Sequence, residues 1–137
     1  MKSLKTLIRM HKRELDRLRR EVALIESKRD DLIGAVQRMQ DELLHELATA
    51  DELGEMRGFF GNFSDAIKRR QKEVAVRIVK LEQQIQEQQI EIQSRFAEMK
   101  KFEIAYERHL LREAQAKAKK EQQQLDEVGL RKFANNV

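Results

Sequence analysis

The three histidines of this chain are the side chains best suited to bind a metal ion or to transfer a proton near neutral pH. His11 falls on a predicted helix seam opposite Tyr106, His109 follows Tyr106 by one turn, and His45 stands alone. A metal site is conceivable there, but carboxylate or thiolate companions at ligand spacing are missing. We interpret His11 as a packed or half-exposed imidazole, and we expect no metal, cofactor or small-molecule substrate.

Catalytic motifs are also missing from the sequence. It contains neither a glycine-rich phosphate loop nor a nucleophile beside a base. Cysteine is absent from the 137 residues, which excludes disulfides and thiolate sites. No apolar run approaches the ~20 residues that span a bilayer, and the basic start leads into an amphipathic helix. These features predict a cytoplasmic protein that is not an enzyme.

Two long helices with an apolar seven-residue repeat must carry these side chains. Steps that alternate between three and four residues keep the apolar positions on one face of an underwound helix. In the first half, one series is Leu4, His11, Leu18, Ile25, Leu32, Met39, Glu46 and Leu53, and the other is Ile8, Leu15, Val22, Arg29, Val36, Leu43 and Ala50.

The positions of helix-breaking and capping residues predict where these helices begin and end. Proline is absent, and three of the five glycines lie within residues 54–63. We predict one coiled-coil domain over residues 1–137, with helix 1 at about 3–53, a turn at 54–63 and helix 2 at about 64–128. Asn62 or Ser64 would cap helix 2, and Gly129 would stop it.

The predicted register places the turn at residues 58 and 59 and folds helix 2 back on helix 1. Apolar positions then meet, as in Met39 with Ile78. The polar interruptions meet as well, because Glu46 faces Gln71 and Arg29 faces Gln88. Paired polar layers set register, since a slip would bury a charge against an apolar side chain. The sequence therefore predicts an all-α, two-helix antiparallel coiled-coil hairpin, with residues 114–137 projecting beyond helix 1 as a helical overhang.

Three surfaces are candidates for binding. The end that holds both termini is basic, although interleaved acids and the lack of an aromatic platform disfavour nucleic acid. The turn holds Phe59, Phe60 and Phe63, which either plug the end of the seam or anchor a partner. Leu44 and Leu47 lie together one helical turn apart, where they would most simply widen the seam, as would Val76 and Val79.

The second half of the chain contains the segments Lys101-Phe102-Glu103, Tyr106-Glu107-Arg108, Arg112-Glu113 and 121–127, with Arg131 beyond them. These segments resemble the FliJ family of flagellar export proteins. The layout also resembles that family over nearly the whole chain, with a basic start, a long helix, a glycine-containing turn and a longer second helix.

This resemblance implies a stalk-like adaptor of the type III export apparatus, peripheral to the inner membrane through its partners. Those partners are the hexameric export ATPase, the membrane protein of the export gate and the export chaperones. The residues assigned to the ATPase are Lys5, Arg9, Lys12, Arg13, Arg17, Arg108, Arg112, Lys117 and Lys120. The residues assigned to the gate are Leu44, Leu47, Phe59, Phe60 and Phe63.

Two other functions stay open at this point. One is a chaperone-like coiled coil that clamps apolar clients with its phenylalanine tip. The other is a nucleic-acid binder that uses the basic end, whose affinity would fall steeply with salt.

Overall fold

The computed structural model describes residues 2–53 and 57–136, and it describes the side chains of 3–51 and 60–136. These residues form two helices, α1 (Lys2–Leu53) and α2 (Arg57–Asn135). The helices pack against each other, and the described residues contain no strand. The predicted fold class, an all-α antiparallel two-helix hairpin, is confirmed.

Helix α2 begins earlier than the sequence predicts. It starts at Arg57 and not near residue 64, so most of the predicted turn is helical. The predicted capping by Asn62 or Ser64 is wrong, because both residues lie inside the helix and Ser64 is buried. Glycine in a helix costs only about 1 kcal/mol, and the helical conformation brings Phe60, Phe63 and Ile67 into partly or fully buried positions. Gly54, Glu55 and Met56 lie outside the described residues.

Helix α2 also ends later than predicted. It passes through Gly129 and ends at Asn135, so the predicted stop at Gly129 is wrong. The residues that follow the glycine, Leu130 to Lys132, are good helix formers and offset the cost of one glycine. At the end, the backbone amide of Asn136 donates to the carbonyl oxygens of Lys132 at 3.1 Å and Phe133 at 3.3 Å.

The chain divides into two compact units, which we describe separately. The terminal unit comprises Met1–Glu14 and Arg95–Val137, and the central unit comprises Leu15–Ser94. Each unit combines a segment of α1 with a segment of α2. The buried apolar residues of the central unit are Leu15, Leu18, Val22, Ala50, Ile67 and Ile85, and that of the terminal unit is Met99.

Two hydrogen bonds between helices give the register of the central unit. The amide nitrogen of Gln71 donates to the side-chain oxygen of Gln40 at 3.1 Å. That of Gln88 donates to the Glu21 carboxylate at 3.3 Å. The predicted pairs, Glu46 with Gln71 and Arg29 with Gln88, are therefore wrong.

The observed partners lie six and eight residues N-terminal to the predicted ones, which is an offset of about one heptad. The earlier start of α2 explains this offset, because a shorter connection moves every facing position toward the N-terminus of α1.

In the terminal unit, the residues of α2 also face positions on α1 that lie N-terminal to the predicted ones. His11 stacks on Phe102, with ring centroids 5.5 Å apart, and does not lie opposite Tyr106 as predicted. Tyr106 instead lies beneath the ammonium group of Lys5, at 5.6 Å from the ring centroid.

Candidate partner-binding surfaces

A shallow basic groove lies in the terminal unit where the first turns of α1 pass the Tyr106 region of α2. Its volume is about 430 Å³, and it is lined by Lys5, Ile8, Arg9, Lys12, Glu103, Tyr106 and Glu107. The cation–π contact of Lys5 orients Tyr106 at one side of the groove. Three cations lie beside two carboxylates and an aromatic ring, which is a mixed surface suited to a protein partner.

His11 lies close to this groove but is mostly enclosed. Its side chain is 13% exposed, and Nε2 lies 4.0 Å from the Glu98 carboxylate. Its Nδ1 atom is buried without a hydrogen-bond partner. His109 pairs instead with Glu113 on its own helix, at 3.0 Å. The imidazole of His11 is thus a packed side chain, in agreement with the interpretation from sequence.

The other basic residues assigned to the ATPase are exposed. Arg13 lies on α1, and Arg108, Arg112, Lys117 and Lys120 lie on α2, all within the terminal unit. Arg17 differs from them, because it belongs to the central unit and pairs with Glu21 on its own helix.

The last part of α2 is exposed along its whole length. We define residues 110–136 as the C-terminal segment, and each of them is exposed. Its exposed large apolar side chains are Leu110, Leu111, Leu125, Val128, Leu130 and Phe133. The predicted overhang at 114–137 overlaps this segment, which begins slightly earlier, and Val137 lies outside the described residues.

The residues assigned to the export gate divide into exposed and half-buried ones. Leu44 is 54% exposed and Leu47 is 41% exposed, so about half of each side chain is open to solvent. Phe60 and Phe63 are half-buried, as side chains at the end of a seam would be. The side chain of Phe59 lies outside the described residues.

The two helices carry two surface features that the sequence does not predict or predicts wrongly. Val76 and Val79 are exposed and do not widen the seam, and Ile90, also exposed, lies on the same outer face. A second groove of about 490 Å³ is lined by Lys28, Asp31, Leu32, Arg77, Lys80, Leu81 and Gln84. The helical period could have identified the first feature, whereas the groove depends on the true register and leaves no local signal.

Metal sites and membrane-spanning helices are both absent from the described residues. These residues contain no group of three or more His, Cys, Asp or Glu residues placed to hold a metal ion. Among them, no helix has the length and apolar character required to cross a membrane.

The fold and its exposed faces define a coiled-coil hairpin protein whose distinctive chemistry lies at its surfaces. The family model of the flagellar FliJ protein matches residues 1–137, the whole chain. The chain therefore belongs to the FliJ family, a non-catalytic component family of flagellar protein export, and its role lies in that process. No curated protein and no solved structure matches the chain significantly.

Proposed function

We propose that this protein is a stalk or adaptor that binds the hexameric flagellar export ATPase with its terminal unit. The whole-length family match is the observation that carries this proposal. The basic groove around Tyr106 and the exposed cations of the C-terminal segment support it, because an acidic protein surface would be attracted to both.

We propose that the second contact of the adaptor is with the membrane export gate, and that export chaperones also bind the coiled coil. The exposed pair Leu44 and Leu47, together with Phe60 and Phe63, supports the gate contact. The protein would then act in the cytoplasm and lie at the inner membrane only through its partners.

Co-purification with the cognate ATPase tests the first contact. The full chain should be retained by the ATPase, promote its hexamer and raise its rate of ATP hydrolysis. The variant Lys5→Glu/Arg9→Glu/Lys12→Glu should weaken binding by about tenfold or more, because it reverses three charges at the groove. The matched control, Lys68→Glu/Arg69→Glu/Lys72→Glu, makes the same charge change in the central unit and should bind normally.

Failure of the unmodified chain to co-purify with the ATPase, with no change in its hydrolysis rate, would refute the proposal.

The second candidate function is a clamp for apolar clients, which the partial exposure of Phe60 and Phe63 favours. It requires that Phe60→Ser/Phe63→Ser lose client binding while the triple charge variant retains it.

A further inference from the structure

The C-terminal segment carries a heptad seam that no described residue covers. Its seam positions follow steps of three and four residues, and they are Leu111, Ala114, Ala118, Glu121, Leu125 and Val128. Three of these are large and well exposed, with Leu111 at 59%, Leu125 at 66% and Val128 at 48%. Two alanines and Glu121 therefore lie between the large apolar residues at the two ends of the seam.

The charges of the segment change sign along its length. Residues 112–120 hold four basic residues and one acid, a net charge of +3. Residues 121–127 hold three acids and no base, a net charge of −3. A helix with this distribution attracts its own copy when the two run antiparallel and repels it when they run parallel.

We propose that the C-terminal segment pairs antiparallel with the same segment of a second copy of this chain. In the favoured register, Leu111 lies opposite Val128 of the second copy, and Ala114 lies opposite Leu125. The large residues are then matched by small or medium ones. Glu121 also comes within reach of Lys117 of the second copy, so that its charge on the seam is paired.

Charge disfavours one neighbouring register, and loss of an apolar contact disfavours the other. If every residue faces a partner seven positions closer to the N-terminus of the second copy, residues 112–120 lie against the same basic residues of that copy. If every residue faces a partner seven positions closer to the C-terminus of the second copy, the contact of Leu111 with Val128 is lost. The seam is short and only half-covered, so we expect a reversible dimer that partners of the terminal unit displace. This inference does not depend on the proposed contact with the ATPase.

Cross-linking of the full chain tests the orientation directly, because the natural sequence contains no cysteine. Chains carrying Ala114→Cys mixed with chains carrying Leu125→Cys should give a disulfide-linked dimer under mild oxidation. Either variant alone should give much less, because its cysteines lie about 16 Å apart along an antiparallel pair. Efficient dimers from each variant alone would show parallel pairing and overturn the proposal.

Sedimentation equilibrium tests the role of charge without cysteines. Arg112→Glu/Lys117→Glu should weaken dimerisation by about tenfold or more, and adding Glu121→Lys/Glu127→Lys should restore it. The control, Lys68→Glu/Lys72→Glu, should leave dimerisation unchanged. These residues are all exposed, so the monomer should stay folded. A natural chain that remains monomeric over the whole concentration range, or a quadruple variant that is not restored, would refute the proposal.

Discussion

His11 is the residue whose burial is most at odds with its chemistry. A polar atom buried without a partner costs about 1–3 kcal/mol, and Nδ1 of this imidazole is such an atom. The ring recovers part of that cost by stacking on Phe102. The residue occupies a seam position, and the positions one heptad before and after it hold Leu4 and Leu18, so its site suits an apolar replacement.

We predict that His11→Leu raises the free energy of unfolding by about 1 kcal/mol, because it removes the unpaired nitrogen and retains apolar contact with Phe102. Denaturation followed by circular dichroism measures this change. His45→Leu is the matched control, because His45 is exposed, and its effect should stay within about 0.5 kcal/mol. A loss of stability in His11→Leu would show that the imidazole makes a stabilising polar contact.

The pairing of the two helices fixes which residues of the central unit meet. Gln88 reaches Glu21 and not Arg29, and these two positions on α1 are eight residues apart, or about 12 Å along the helix. A disulfide requires Cα atoms within about 7 Å of each other. The register can therefore be read by cross-linking.

We predict that Glu21→Cys/Gln88→Cys forms an intramolecular disulfide on mild oxidation much faster than Arg29→Cys/Gln88→Cys, because the hydrogen bond between the natural side chains brings the first pair of positions closer together. Arg29→Cys/Gln88→Cys is the control that tests the register expected from the sequence, and it should remain reduced. A shift in electrophoretic mobility without reducing agent reports the bond. The reverse result would restore the expected register.

The heptad repeat made the two helices and their antiparallel pairing predictable from sequence, but not their register. A shift of seven residues returns apolar positions to apolar positions, so the repeat distinguishes neighbouring registers only through its few polar interruptions. Those interruptions were misleading, because Gln71 and Gln88 find partners at Gln40 and Glu21, which are not seam residues. The glycines at 58 and 61 add to this difference, since glycine favours a loop and both residues are helical.

Some features of the candidate surfaces were predictable from sequence and others were not. Side chains along one helix follow from composition and the helical period, so the basic residues of the terminal unit and the exposed C-terminal segment were identified. The exposure of Leu44 and Leu47 and the groove at Lys28 and Arg77 depend on how the helices meet. The sequence could not give these features without the register.

At the scale of the whole molecule, packing is unevenly distributed along the chain. All residues from 110 to 136 are exposed, whereas most of the buried apolar side chains belong to the central unit. Stability should therefore depend little on the C-terminal segment, and binding should depend on it strongly.

We predict that removal of residues 114–137 changes the Tm by no more than about 2 °C, because the segment buries almost no apolar surface in the isolated chain. The same truncation should reduce binding to the export ATPase and remove self-association. Calorimetry and co-purification measure these effects. A Tm lowered by more than about 5 °C would show that the segment stabilises the hairpin.

The early start of α2 has a consequence for the kinetics of folding. In the central unit, the hydrogen bond of Gln40 with Gln71 closes a span of 31 residues, and that of Glu21 with Gln88 closes one of 67. Loop-closure entropy grows with the span, so contacts close to the helix connection form at the lowest entropic cost. We expect contacts between the two helices of the central unit to form first near the connection and then progressively farther from it. Each contact shortens the loop that the next one closes.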